Sequence, residues 1–225
     1  MTDTYHAVPG LDVELDHGRG LLRLTLDRAE KRNALDDTMV SGLIDALETA
    51  GRDEAVRAVL VSAEGPHFCT GAGIVKGNSA EGTPGSDAKP RVGGIQRRLP
   101  SQAHRLIPLV LTVQVPVVCA VRGTAAGIGL SLALAADVTI ASESARFWAP
   151  FSARGFTPDS GITWLLPRRI GETRARTMLL LDAKVDAARA EEGDWCTARC
   201  RTPASAPRPQ PSPNNPRRVR PSRWS

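Results

Sequence analysis

Two stretches decide the reading of this chain: His67-Phe68-Cys69-Thr70-Gly71-Ala72-Gly73 and Gly123-Thr124-Ala125-Ala126-Gly127-Ile128-Gly129-Leu130. Each puts small residues where a strand gives way to a helix or loop. Small residues let a ligand approach the backbone, and a helix start offers unpaired N–H groups. Two such donors converging on one carbonyl oxygen form an oxyanion hole. The pair therefore points to chemistry on an ester or thioester carbonyl. Read one by one, the two stretches are also compatible with ordinary glycine-rich turns.

Working outward, strands and helices follow one another in an α/β order. Residues 11–15 and 21–26 alternate in the manner of strands, with His17-Gly18-Arg19-Gly20 as the turn between them. Asp36 or Asp37 caps a helix that runs to about residue 50, with apolar residues at Met39, Val40, Leu43, Ile44 and Leu47. Residues 56–61 and 117–121 read as buried strands and 138–141 as another. Helices are expected at about 101–111, 127–136, 160–169 and 172–181. Residues 75–94, rich in Gly, Ser and Pro, read as a long loop.

Composition limits the function classes. The 225 residues fit one sizeable domain, and the hydrophobic share of 41% fits a soluble globular protein. The net charge of +5 invites a nucleic-acid reading, but seven of the arginines fall in residues 195–225, which contain no acid and no lysine. Without that segment the body has 22 basic and 24 acidic residues, so it is weakly acidic and nucleic-acid binding by it is not expected. The cysteines Cys69, Cys119, Cys196 and Cys200 show no disulfide-framework spacing, and a reduced, cytoplasmic location is expected. Cys119 reads as a small core residue, and Cys196 with Cys200 is a weak metal signal without partner histidines. Residues 1–10 lack the features of a signal peptide. The apolar run 106–121 is interrupted by Pro108, Gln114 and Pro116, so no membrane span is expected.

Four motifs in order resemble those of the crotonase family, the enoyl-CoA hydratase/isomerase superfamily. Asp27-Arg28-Ala29-Glu30-Lys31-Arg32-Asn33-Ala34-Leu35 resembles R-P-x-x-x-N-A-L. Residues 68–74 resemble F-C-A-G-A-D-[IL], and residues 116–137 resemble K-P-V-I-A-A-V-N-G-x-A-x-G-G-G-x-x-L-A-x-x-C-D. Residues 147–171 resemble F-x-x-P-E-x-x-x-G-x-x-P-x-x-G-x-x-x-x-L-P-R-x-x-G. The resemblance covers roughly residues 10–185 and implies a crotonase-like spiral of ββα units over residues 1–190, followed by an irregular tail over 191–225. It also implies a coenzyme A thioester as substrate, no permanently bound cofactor, and assembly as trimers or pairs of trimers.

Carried over residue by residue, the resemblance puts the oxyanion donors on the backbone N–H groups of Ala72 and Ile128. Adding water to an enoyl thioester, or moving its double bond, builds charge on the thioester oxygen, and each donor lowers that barrier by about 3 kcal/mol. The two glutamates of the family's hydratases fall on Ser131 and Phe151, and neither transfers a proton as a glutamate does. The middle glycine of G-G-G is Ile128, and the Asp of G-A-D is Gly73. One carboxylate remains: Pro158-Asp159-Ser160-Gly161 resembles the P-D-x-G element of isomerase branches, where the aspartate works on substrate. Asp159 is thus a candidate base for a 1,3-proton shift, and equally readable as a helix N-cap.

Lys31, Arg32 and Ala34 match the family's coenzyme A cradle, or form a solvated basic turn. Phe68 and Ile74 are candidates for substrate or coenzyme A binding, and Trp148, Phe151 and Phe156 are candidates to line an acyl pocket, with core packing as the alternative for these three. His67 reads better as a loop residue than as an acid or base, and Ser131 better as packing than as a nucleophile. The expected activity is an isomerase-type enoyl-CoA reaction. The alternatives are an enoyl-CoA hydratase and a non-catalytic acyl-CoA-binding remnant.

The tail departs from the family, which continues with a segment like A-x-E-W-G-L-V-H-R-V-V. One coding of residues 194–200, GAC TGG TGC ACC GCG CGG TGC, contains CTG GTG CAC CGC GCG GTG, which spells Leu-Val-His-Arg-Ala-Val. A frameshift is therefore the expected origin of the tail, and a genuine disordered basic tail is the alternative. The loss of the family's last helices is expected to compromise the trimer and the cover of the coenzyme A site.

Overall fold

The computed structural model describes residues 5–73, 103–196 and 198–200. Strands β1 (Leu11–Asp16) and β2 (Leu21–Leu26) form an antiparallel hairpin with Leu11 opposite Leu26. The alternation of β2 sends Leu22, Leu24 and Leu26 into the core. Helix α1 (Asp37–Ala50) starts at Asp36, whose Oδ1 accepts the Met39 N–H at 3.0 Å. Of the two candidate caps, Asp36 has the role.

Strand β3 (Ala58–Ala63), helix α2 (Ala103–Thr112) and strand β4 (Val117–Val121) follow, then β5 (Thr124–Ala126), α3 (Ile128–Ala135), β6 (Val138–Ser142) and β7 (Arg146–Trp148). Helices α4 (Ile162–Ile170) and α5 (Glu172–Leu180), strand β8 (Lys184–Asp186), helix α6 (Ala187–Glu192) and strand β9 (Ala198–Cys200) complete the described order. Six strands form one sheet in the order β1-β2-β3-β4-β6-β9, parallel from β2 onward. A second sheet has the order β5-β7-β8. The core lies between the large sheet and helices α1 to α4, and every residue of α3 is buried.

Two expectations need correction. The strand expected at 56–61 runs over Ala58–Ala63, because the Arg57 and Ala58 amides both bond the Gly20 carbonyl, at 2.7 and 3.2 Å, and the ladder continues to Leu26 opposite Ala63. Helix α4 begins at Ile162, since Ser160 and Gly161 adopt left-handed backbone (φ 51° and 73°). Beyond residue 190 the described chain continues as follows. Helix α6 continues to Glu192, capped by Asp186, and Trp195 and Cys196 are buried. The Trp195 ring packs 4.8 Å from Phe147, which draws the chain back to the core, and β9 then joins β6 with Ala198 opposite Ile140. The expected loop 75–94 and the segment 201–225 lie outside the described residues. Among the described residues, no helix is long and apolar enough to cross a membrane.

Candidate functional site

The site is assembled from three turns that the large sheet holds together. The first begins at the one-turn helix Ala29–Lys31, after which Arg32 and Asn33 both take left-handed backbone (φ 53° and 54°). Asn33 is fully buried. Its Nδ2 donates to the carbonyls of Glu64 and His67, each at 2.8 Å, and its Oδ1 accepts the Arg28 N–H at 2.8 Å. It thereby ties the basic turn to the loop leading into Phe68. The Arg32 carbonyl accepts the Thr70 N–H at 3.2 Å, and Leu35 bridges to Ala72 in parallel fashion.

That bridge decides where the Ala72 amide points. It uses the Gly71 carbonyl, which accepts the Leu35 N–H at 2.9 Å, and the Gly73 N–H, which donates to the Leu35 carbonyl at 2.7 Å. In an extended chain the intervening N–H faces the other side. The Ala72 N–H therefore turns away from Leu35, and it has no backbone acceptor among the described residues.

The second turn supplies a matching donor. Gly127 has φ 55° and ψ −124°, a combination that only glycine adopts readily, and its own N–H donates to the Trp148 carbonyl at 3.2 Å. Ile128 then opens α3, so its amide is one of the donors that a helix start leaves unpaired. The two turns touch: a Cβ placed on Gly127 would lie 3.6 Å from the Gly71 Cα. Farther along, Cys69 bridges to Ala125, and a Cβ on Gly129 would stand 2.5 Å from the Cys69 carbonyl oxygen. Only a glycine permits that approach. His67 Nδ1 accepts the Thr124 N–H at 3.3 Å, a further cross-link between the motifs, in keeping with a loop role.

The third turn carries Asp159. The N-cap of α4 is Gly161, with no side-chain cap bond, so the Asp159 carboxylate does not cap the helix. Its Oδ1 accepts the Ser160 hydroxyl at 2.9 Å, while its backbone carbonyl accepts the Ile162 N–H. Helices α3 and α4 pack together. Arg169, near the end of α4, donates to the carbonyls of Leu134 and Ala136, both at 3.0 Å, at the end of α3. These bonds pin the C-terminal ends of the two helices together.

The remaining candidates divide. Lys31 and Arg32 are exposed, and the Ala34 carbonyl accepts Arg28 Nη1 at 3.3 Å. Phe68 is fully buried in the core, next to Cys69, which bridges to Ala125. Trp148 is committed elsewhere. Its Nε1 donates to Asp182 at 3.0 Å, and Lys184 Nζ and the Arg154 guanidinium lie over its ring at 4.5 and 5.9 Å. Its part in the site is its carbonyl, which fixes Gly127. Phe151 is buried and Phe156 exposed; Ile74 lies outside the described residues.

Two buried groups complete the electrostatics. Burial pushes the Cys69 thiol up to about 11 and the Cys119 thiol up to about 12, so both stay protonated at neutral pH and neither serves as a nucleophile. The Ser131 hydroxyl is fully buried without a hydrogen-bond partner. Sequence reasoning singled out neither Asn33 nor Ser160 as a functional residue. The buried asparagine inside the R-P-x-x-x-N-A-L-like motif was the available signal for the first, and nothing in the sequence signalled the second.

With this geometry in place, known proteins can be compared. A family model described as Enoyl-CoA hydratase/isomerase matches residues 16–193. A 1,2-epoxyphenylacetyl-CoA isomerase of Escherichia coli is 37% identical over 174 residues, which is 77% of this chain and 64% of that protein. A protein of Rhodobacter capsulatus named "Probable enoyl-CoA hydratase" is 38% identical over 184 residues, 82% of this chain and 65% of that one. The chain thus spans slightly less than two thirds of these relatives. The crystal structure of an enoyl-CoA hydratase from Mycobacterium avium subsp. paratuberculosis superposes with a TM-score of 0.74 at 33% identity, covering 87% of this chain and 70% of that one.

Proposed function

The chain belongs to the enoyl-CoA hydratase/isomerase family and has its crotonase fold, and from that premise we propose an acyl-CoA-processing enzyme of the isomerase type. The single observation that carries the choice is the state of Asp159: its carboxylate does not cap α4 and accepts the Ser160 hydroxyl instead, on a helix that packs against α3. The hydratase positions, by contrast, hold a serine and a phenylalanine.

The reaction follows from the parts. A 3-enoyl-CoA binds with its thioester oxygen between the Ala72 and Ile128 amides. Asp159 takes a proton from C2; the C2–H electron pair spreads through the conjugated system onto the thioester oxygen, where the two donors hold it. The carboxylic acid then returns the proton to C4, leaving a 2-enoyl-CoA and the original carboxylate. One base suffices, and no water enters the balance. In this reading Lys31 and Arg32, both exposed, meet the coenzyme A phosphates. A homotrimer or hexamer in the cytoplasm completes the proposal.

The test is turnover of 3-hexenoyl-CoA and 2-hexenoyl-CoA by the purified chain, followed for double-bond migration and for hydration. Migration without hydration is expected. Asp159→Asn should remain folded and lose migration by about 10³-fold; unchanged turnover in that variant rejects Asp159 as the base. Binding of acyl-CoA without any turnover would identify the chain as a non-catalytic remnant.

A further inference from the structure

The turn before α4 contains a serine whose conformation has no structural return. Ser160 is buried, with φ 51°, a left-handed conformation that costs a residue with a side chain about 1 kcal/mol. Its neighbour Gly161 adopts the same region without that cost. As a piece of backbone, residue 160 would be better as glycine. What the serine adds is one hydroxyl, and its hydrogen bond goes to Asp159 Oδ1 at 2.9 Å. Strain kept at a single side chain beside a candidate reacting group is the pattern of a functional constraint.

We propose that Ser160 is a positioning residue: its hydroxyl anchors Asp159 Oδ1 and so fixes the direction in which Oδ2 meets the substrate carbons. The inference rests on the reading of Asp159 as the base. An aspartate has two side-chain torsions, and half-buried at a helix start it has no other hydrogen bond to set the plane of its carboxylate among the described residues. A 1,3-proton shift makes strict use of that plane, because one oxygen must reach two carbons in turn. Misplacement on the ångström scale costs about 10²-fold in rate.

The test separates position from stability by using variants that move the two in different directions. Ser160→Gly removes the hydroxyl and the strain; Ser160→Ala removes the hydroxyl and keeps the strain; Ser160→Thr keeps the hydroxyl and adds β-branch strain. Thermal midpoints are expected in the order Gly above Ala above Thr. With 3-hexenoyl-CoA, kcat should fall by about 10- to 100-fold in both Gly and Ala variants with KM nearly constant, and return close to the parent value in Thr. Turnover that instead follows the thermal midpoints overturns the proposal. Asp159→Asn is measured in parallel. If it abolishes migration while Ser160→Gly retains full kcat, the Ser160 proposal alone fails; if Asp159→Asn retains migration, the base assignment fails and the positioning role falls with it.

Discussion

Replacing Asn33 by alanine tests whether the first turn of the site is held as described. Three hydrogen bonds disappear, two to carbonyls and one from the Arg28 amide, each at 2.8 Å in a fully buried setting. At a net worth of about 1 kcal/mol per bond, their loss comes to about 3 kcal/mol. The φ of 54° adds about 1 kcal/mol, because asparagine tolerates left-handed backbone better than alanine does. The expected loss is therefore about 4 kcal/mol, or about 8 to 16 °C in Tm for a domain of this size. Asn33→Gly is the internal control: it loses the same bonds but keeps the backbone freedom, so it should be less destabilised than Asn33→Ala by up to about 1 kcal/mol. Urea unfolding followed by tryptophan fluorescence reads both, since Trp195 is buried against Phe147. A loss below about 1 kcal/mol for Asn33→Ala, or a glycine variant weaker than the alanine variant, would refute the reasoning.

Further predictions concern the second turn, the thiols and the gene. Gly127→Ala forces a side chain into φ 55°, ψ −124°, and turns the Ile128 amide away; kcat should drop by about 10²- to 10³-fold, and a folded variant with parental kcat would remove Ile128 from the oxyanion hole. The folded pKa values of Cys69 and Cys119, about 11 and about 12 against an ordinary 9.0, mean that the unfolded chain releases these protons first as pH rises. Stability should therefore be intact below pH 9 and decline above it, by about 1.4 kcal/mol per pH unit per thiol until the folded values are reached. Cys119→Ala should flatten that decline, and an equal slope in parent and variant would contradict it. Resequencing the gene should reveal a reading frame near codon 194 that encodes Leu-Val-His-Arg-Ala-Val; an undisturbed frame with no such alternative would establish the tail as native.

The large sheet was legible because its strands carry strong, regular apolar patterns. Leu22, Leu24 and Leu26 alternate cleanly, and the short apolar runs of β3 and β4 are bounded by turn residues. The second sheet was not, because β5, β7 and β8 are three residues long and offer no period to detect. The two glycine-rich turns were legible through their glycines, since φ 55° at Gly127 and the approach of Gly129 to Cys69 exclude other residues. The surroundings of Phe68 and Trp148 were not legible for a common reason: an aromatic side chain in a motif does not reveal which side of the backbone it occupies. That direction is set by pairings with Ala125 and Lys184, distant in sequence. The capping alternative for Asp159 depended on local backbone: with Ser160 and Gly161 left-handed, the N-cap is Gly161 and has no side-chain bond.

Strand β9 lies at the rim of the large sheet and contributes there through main-chain pairing to β6. Such pairing reads peptide groups, which every non-proline residue supplies alike. The rim of this sheet is thus a place where heredity can rewrite the text and leave the architecture standing. Three residues of nearly any composition can occupy it, whereas a single methyl group at residue 129 would collide with the Cys69 backbone. A substitution at Gly129 therefore meets fixed backbone, whereas one in β9 leaves the main-chain pairing to β6 available.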